Sequence, residues 1–90
     1  MAKIYKTDGS IVNVEPKNGN DFELQELNDI VGGYIEIVHL NDKQIMVVNE
    51  EGKLYGCEYN DKATELMRAN IMTYDYIVGD ALVCDTAQVK

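Results

Sequence analysis

The residues that could do chemistry in this 90-residue chain begin with two glycines before a tyrosine and a carboxylate, in the run Gly32-Gly33-Tyr34-Ile35-Glu36. Glycine lets a ligand approach the backbone closely, and it also provides the positive φ at which many helices end. The pair is not a phosphate-binding loop, because no Lys-Ser/Thr follows it and because it closes a predicted helix, whereas phosphate sites open one. The run therefore indicates backbone geometry first and a binding surface second.

The sequence does not have the residue types and spacings that a catalytic site or a metal site requires. The single histidine, His39, lies in a predicted strand and the single serine, Ser10, in a predicted turn, which does not suit a hydrolytic triad. Cys57 and Cys84 form no Cys-x-x-Cys motif, so a structural zinc site lacks ligands and free thiols are favoured over a disulfide. The turn at residues 49–52 has two acids that could hold a cation weakly, but it is more typical of an exposed turn. We expect no catalytic residue, metal or cofactor.

The aromatic residues favour binding. Six are tyrosines, one is phenylalanine and none is tryptophan, and Tyr55, Tyr59, Tyr74 and Tyr76 flank the second predicted helix and the last predicted strand. Tyrosine offers a stacking surface with a hydroxyl group, which suits interfaces and base-binding pockets. Ordinary half-buried packing is the simpler explanation of the same pattern.

The charge excludes some classes of function. Sixteen acids against eight bases give −8, and residues 21–36 contain five acids and no base. Such a balance argues against nucleic-acid binding and against an anionic membrane surface; it favours solubility, with weak DNA mimicry as a second interpretation. We expect no signal peptide, because the first residues lead into an alternating pattern, and no apolar run approaches the roughly 20 residues of a membrane span. We expect a cytoplasmic protein.

The apolar pattern predicts one α+β domain over residues 1–90, with two helices and a mostly antiparallel sheet in the order β-β-α-β-β-α-β. A β-grasp arrangement is one option for this order. The first helix is expected to begin at Asn20 or Asp21 and to end at Gly32. The next hairpin joins residues 34–40 to residues 44–48, and alternation places Tyr34 and Glu36 together on an outer sheet face.

The second half of the chain is predicted to contain a helix capped by Asn60, with Ala63, Leu66 and Met67 facing inward. Residues 53–57 are expected to form a short strand or an irregular crossing. Residues 76–84 are expected to form the last strand, interrupted at Gly79-Asp80, and residues 86–90 a frayed tail. Both helices are expected to pack on one face of the sheet.

Several runs of the sequence resemble a family of short uncharacterised proteins from phages, prophages and other mobile elements, classified as a domain of unknown function. The resemblance covers roughly residues 22–85, and it rests on "LQELNDIVGGYIEIV", "VVNEEGKLYG" and "IVGDALVCD". The family pattern falls on the following positions: Gly32, Gly33, Tyr34, Ile35, Glu36, Asn49, Glu50, Gly52, Gly56, Asn60, Ala63, Thr64, Gly79 and Asp80. The chain departs from it after Gly56, where such proteins often have a small apolar residue and Pro.

The resemblance implies a non-enzymatic binding protein of phage or mobile-element origin that forms a homo-oligomer. It would act in the host cytoplasm as a counter-defence factor that sequesters a nucleotide-like signalling molecule in an oligomeric pocket. Tyrosines would stack on the base, and a cation would meet the phosphate, the candidates being Lys43, Lys53, Lys62 and Arg68. Ligand or partner contacts are expected from ten residues: Tyr34, Glu36, Asn49, Lys53, Tyr55, Tyr59, Asn60, Thr64, Arg68 and Asp80. Four glycines are expected to set backbone geometry: Gly32, Gly33, Gly52 and Gly79.

Three alternatives stay open. The acidic face of the first helix, with Glu23, Glu26 and Asp29, could bind and inhibit a basic host protein. The chain could instead be a structural accessory of a phage particle. An enzyme that uses Glu36 or Asp80 as a general base is the alternative of a different class.

Overall fold

The computed structural model describes residues 2–89, and it confirms the α+β prediction and the order of the elements. Five strands, two α-helices and a short 3₁₀ helix form the fold: β1 (Ala2–Tyr5), β2 (Ile11–Val14), α1 (Leu24–Val31), β3 (Ile35–His39), β4 (Gln44–Asn49), α2 (Asp61–Asn70), β5 (Ala81–Asp85) and the 3₁₀ helix (Thr86–Gln88). The two predicted hairpins are β1–β2 and β3–β4.

The strands form one sheet in the order β2-β1-β5-β4-β3, and every neighbouring pair is antiparallel. The first and last strands lie side by side, as they do in a β-grasp sheet. They run antiparallel here, however, whereas a β-grasp sheet pairs them in parallel. The β-grasp option therefore describes the order of the elements and not the direction of the central strand pair.

The helices cover opposite faces of the sheet, which corrects the expectation that both lie on one face. Ile45 and Val47 of β4 face α1, and Met46 and Val48 face α2. Strand β5 is buried on both faces in the same way. A strand covered on both sides has no polar side, which explains the continuous apolar runs of β4 and β5.

Helix α1 begins at a different residue from the one predicted. Its N-cap is Glu23, which forms a capping box with Glu26 at the third helical position. Asn18 and Asp21 form a separate turn just before it, where the Asn18 side chain accepts hydrogen bonds from two backbone amides. The predicted end is confirmed, since Gly32 has a φ of 81° and its N–H donates to the carbonyl of Asn28.

The irregular segments differ in part from their predictions. Residues 53–56 form turns, which agrees with an irregular crossing and not with a short strand. Residues 76–78 lie outside β5 and contribute only an isolated bridge between Tyr59 and Val78. Residues 86–89, expected to fray, form the 3₁₀ helix and a parallel bridge between Phe22 and Val89. Phe22 is buried there, so the end of the chain closes the core beneath α1.

Candidate functional site

Five of the predicted site residues meet in one open pocket where α1 ends and β4 ends. The pocket has a volume of about 410 Å³, and we call it the Gly-Gly pocket; it is lined by Asn28, Gly32, Gly33, Tyr34, Asn49, Glu51 and Tyr55. Tyr34 and Tyr55 are exposed over 71% and 70% of their surfaces. Small-molecule sites occupy roughly 300–1,000 Å³, so the pocket has the size of a small ligand.

Asn49 fixes the shape of this pocket. Its amide nitrogen donates to the Val31 carbonyl at 3.1 Å, and its oxygen accepts from the Glu51 N–H at 2.8 Å. The Glu50 N–H also donates to the Tyr34 carbonyl at 2.8 Å. These bonds join the end of α1 to the turn after β4, so the walls of the pocket are set before any ligand arrives.

The electrostatics of the Gly-Gly pocket favour a ligand that donates hydrogen bonds. The pocket lies at the C-terminal end of α1, where the helix dipole is negative, and the last turn of α1 has no basic residue. Glu51 adds a carboxylate, and no Lys or Arg among residues 2–89 lines the pocket. A cation or an amine is therefore favoured there, and a phosphate is disfavoured.

Asn28 is a site residue that sequence reasoning missed. It lines the pocket, and its Oδ1 is shielded from solvent without a hydrogen-bond partner among the described residues. A buried acceptor without a donor costs roughly 1–3 kcal/mol, which a donor on a ligand could offset after a small rotation of the side chain. Its position one helical turn before Gly32 was a signal that could have been used.

Glu51 is the second residue missed. In the sequence Glu51 is only one of two acids in a predicted turn. Its role at the pocket depends on Asn49, because the Asn49 side chain holds the Glu51 N–H. No pattern in the sequence indicates this contact, since an Asn at the end of a strand is equally common as a simple turn residue.

A second site surrounds Lys53 on the α2 face of the sheet. We call it the Lys53 cleft; its volume is about 90 Å³, and its polar lining consists of Glu36, Asn49, Glu50, Lys53, Asp75 and Tyr76. The Lys53 ammonium pairs with the Asp75 carboxylate and lies 4.1 Å from the centre of the Tyr76 ring. Glu36 and Tyr34, predicted to share a face, line different sites.

The ion pair changes the titration of both partners. The hydrogen bond from Lys53, followed by the bond from the Tyr76 N–H at 2.8 Å, holds the pKa of Asp75 below its ordinary value of 3.8. The same hydrogen bond to Asp75 raises the pKa of Lys53 above 10.5. Both groups are about half exposed, so solvent screens the pair. With Lys53 engaged and three acids around it, the cleft is poorly suited to phosphate.

Asn60 and Thr64 lie in the interior. The Asn60 amide donates to the carbonyls of Tyr5 and Gly79, both at 2.8 Å, and its oxygen caps α2 at the Ala63 N–H. The Thr64 hydroxyl accepts from the Ile77 N–H at 2.9 Å. Both residues are buried, and these bonds hold the segment before β5 against α2.

Arg68, Tyr59 and Asp80 each lie away from the Gly-Gly pocket. The Arg68 guanidinium donates to the backbone carbonyls of Asp75 and Tyr74, and the Tyr59 ring lies 5.8 Å from the Tyr76 ring. Asp80 accepts from the Thr7 N–H at 3.1 Å. Of the other cations expected to contact a phosphate, Lys43 lies at the β3–β4 turn and Lys62 on α2. The four expected cations therefore do not form one phosphate site within a single chain.

Gly52 and Gly79 have different structural roles. A β-carbon on Gly52 would lie 2.9 Å from a methyl group of Val78, so glycine is needed there for close packing. Gly79 has a φ of 76°, which other residues rarely adopt.

Among residues 2–89, no group of three or more His, Cys, Asp or Glu is arranged to hold a metal ion.

The family model described as "Domain of unknown function (DUF3846)" matches residues 4–89. The chain belongs to this family. Neither a curated protein nor a solved structure is significantly similar to the chain. The resemblance seen in the sequence covered residues 22–85, so the DUF3846 domain also includes most of the β1–β2 hairpin and the 3₁₀ helix.

Seven of the fourteen positions of the sequence pattern form two groups in this DUF3846 domain. Gly32, Gly33, Tyr34 and Asn49 line the Gly-Gly pocket. Asn60, Ala63 and Thr64 are buried and anchor α2. Across residues 2–89, which the structure describes, no helix is long and apolar enough to cross a membrane.

Proposed function

We propose that this DUF3846 protein is a non-enzymatic binding protein that captures a flat, amine-bearing molecule of nucleobase size in the Gly-Gly pocket. The observation that carries this proposal is the pair of largely exposed tyrosines, Tyr34 and Tyr55, on a pocket whose backbone is already fixed by Asn49. A flat ligand would cover both rings and gain stacking contacts. A fixed pocket also loses little entropy on binding.

The ligand class follows from the charge around the pocket. Glu51 and the C-terminal end of α1 attract a cation or an amine, and the unpaired Asn28 oxygen accepts a donor. A nucleotide-like molecule would therefore bind through its base and keep its phosphate outside the pocket of a single chain. This refines the expectation from the sequence, in which the phosphate would be met by Lys43, Lys53, Lys62 or Arg68.

We place this activity in the cytoplasm of a host cell, where the protein would act for a phage or mobile element by sequestering a signalling molecule of host defence. The resemblance of the sequence supports this setting. The acidic charge of −8 supports a function that needs no nucleic acid.

Calorimetric titration with adenosine tests the proposal. We expect adenosine to bind more tightly than purine riboside, which lacks the amino group, and more tightly than adenosine monophosphate, which carries a phosphate. Tyr34→Ala and Tyr55→Ala should each weaken adenosine binding by roughly tenfold, since one stacked base is worth about 1–3 kcal/mol. Tyr74→Ala is the matched control, because Tyr74 is exposed and lies outside the pocket. Equal binding of all three compounds, or no binding, would contradict the proposal.

A second candidate function is the binding of a basic partner protein. Met72 and Tyr74 are fully exposed, although the segment that carries them is fixed by Arg68 and by the Lys53–Asp75 pair. Exposed Met and Tyr side chains on a rigid segment are typical of interface contacts. Glu36 and Asp75 are nearby acids that a basic partner would complement.

Affinity capture from a host lysate separates this candidate from binding through the acidic face of α1. A partner that is lost from Met72→Ser/Tyr74→Ser and retained by Glu23→Gln/Asp29→Asn supports the segment at residues 72–74. The reverse pattern supports the acidic face. The absence of any captured protein would remove this second candidate.

A further inference from the structure

The outer edge of β3 carries backbone groups that point away from the rest of the sheet. Strand β3 ends the sheet order and pairs only with β4. The Glu50 N–H donates to the Tyr34 carbonyl, and the Leu40 N–H donates to the Gln44 carbonyl. Because backbone direction alternates along a strand, the even-numbered residues bond to β4, and Ile35, Ile37 and His39 present their N–H and C=O groups outward.

We propose that two copies of this chain pair through β3 around a two-fold axis at Ile37, which joins their sheets into one antiparallel sheet. An antiparallel pair exchanges two hydrogen bonds wherever two outward-pointing residues face each other. Pairing Ile37 with Ile37, and Ile35 with His39, uses every outward-pointing residue of β3. If the register between the two β3 strands shifted by one residue, the outward-pointing backbone groups of one strand would face residues whose groups point toward β4. A shift by two residues would shorten the paired length of the two strands.

The side chains of β3 are compatible with this register. Glu36 would lie opposite Val38 of the second copy, so no two like charges face each other directly. The pairing is also closed, because the same strand is used on both copies. Pairing of β3 with the other edge, β2, would instead continue into an open chain of molecules.

An apolar groove beside β3 supplies the buried surface that an edge pair needs. The groove lies between the start of α1 and β3, has a volume of about 360 Å³, and includes Phe22, Leu24, Leu27, Ile35 and Ile37. Leu24 and Ile37 are partly exposed hydrophobic residues. A two-fold axis at Ile37 is perpendicular to the sheet, so the grooves of both copies meet on the same face, and the two Ile37 side chains cover each other.

The register also reaches the Gly-Gly pocket. Continuing the pairing past the end of β3 places Tyr34 opposite Leu40 of the second copy. The turn of the second copy at residues 41–43 then lies beside Gly33 and Tyr34. The dimer itself does not depend on the proposed ligand.

Sedimentation equilibrium of the full chain tests the pairing. We expect twice the chain mass of 10.1 kDa for the unmodified protein. Ile37→Lys should raise the dimer dissociation constant by more than about tenfold, because the dimer would bury two unpaired charges. Ile11→Lys on the opposite edge is the matched control, since Ile11 is 43% exposed and Ile37 is 38% exposed. The control should remain dimeric.

An independent test does not depend on weakening the dimer. In a Cys57→Ser background, Ile37→Cys should form an intermolecular disulfide under mild oxidation, because hydrogen-bonded antiparallel residues have Cα atoms about 5.5 Å apart. Ile11→Cys should not form one. A monomer at all concentrations, or a dimer that is unaffected by Ile37→Lys and not cross-linked through Ile37→Cys, would overturn the proposal.

Discussion

The side-chain nitrogen of Asn49 lies 3.0 Å from the position that a β-carbon on Gly33 would occupy. This contact explains the second glycine of the Gly-Gly pair, because Gly33 has no positive φ and Gly32 already ends the helix. Glycine at position 33 lets the Asn49 amide reach the Val31 carbonyl and join α1 to β4. The shape of the Gly-Gly pocket therefore depends on Gly33 and Asn49 together.

This contact predicts coupling between the two positions. Gly33→Ala should lower the free energy of unfolding by about 1–2 kcal/mol, because the new methyl group displaces the Asn49 amide. In an Asn49→Ala background the same change should cost much less. Urea unfolding of the four proteins in this cycle measures the coupling, and additive effects would show that Gly33 does not act through Asn49.

Replacing Asn60 should be the most destabilising single polar substitution among the predicted site residues. Asn60→Ala removes two bonds to backbone carbonyls and one helix cap inside the protein, so we expect a loss of about 2–4 kcal/mol. Asn13→Ala, on the exposed strand β2, is the control and should change stability by less than about 0.5 kcal/mol. A small effect at Asn60 would contradict its role in anchoring the segment before β5.

The Lys53–Asp75 pair predicts a specific pH dependence. Since the folded-state pKa of Asp75 lies below 3.8, the pair contributes stability above that pH and loses it as the pH falls through the lower folded value. NMR titration of the Asp75 carboxyl should give a pKa below 3.8, and Lys53→Gln should raise it. Lys62→Gln is the control and should leave it unchanged. An Asp75 pKa that is the same in the unmodified protein and in Lys53→Gln would show that the pair does not form in solution.

The two thiols should react at very different rates. Cys84 is buried in the core, and burial, followed by the charge of Asp85, raises its pKa to about 11. Cys57 is partly exposed. A thiol reagent at pH 8 should therefore modify Cys57 rapidly and Cys84 only after unfolding. Intact mass measures each thiol separately, Cys84 in the Cys57→Ser variant and Cys57 in the Cys84→Ser variant. Fast modification of Cys84 as well as Cys57 would show that β5 opens readily.

Much of the fold follows from local patterns in the sequence. The helical spacing of α1, the glycine at its end, and the two hairpins depend on neighbouring residues, and the structure confirms them. The faces covered by the helices depend on distant contacts. Ile45–Val48 and Ala81–Cys84 are unbroken apolar runs, and such runs indicate burial on both faces as well as strand propensity.

The candidate site was only partly predictable for the same reason. Tyr34 and Gly33 are adjacent in sequence, so their proximity was evident, but Tyr55 reaches them only through the turn fixed by Asn49. Asn60 and Thr64 have the polar side chains of a binding site, yet their partners are backbone groups of distant segments. A sequence alone does not distinguish a polar residue that meets a ligand from one that satisfies buried backbone.

The most direct test of ligand capture at the Gly-Gly pocket is an amide NMR titration of the full chain with adenosine. We expect saturable shifts confined to the amides around the pocket, namely those of residues 28, 32–34, 49, 51 and 55, and we expect these shifts to be lost in Tyr34→Ala. Shifts that centre on the Lys53 cleft, or spectra that do not change at millimolar adenosine, would contradict it.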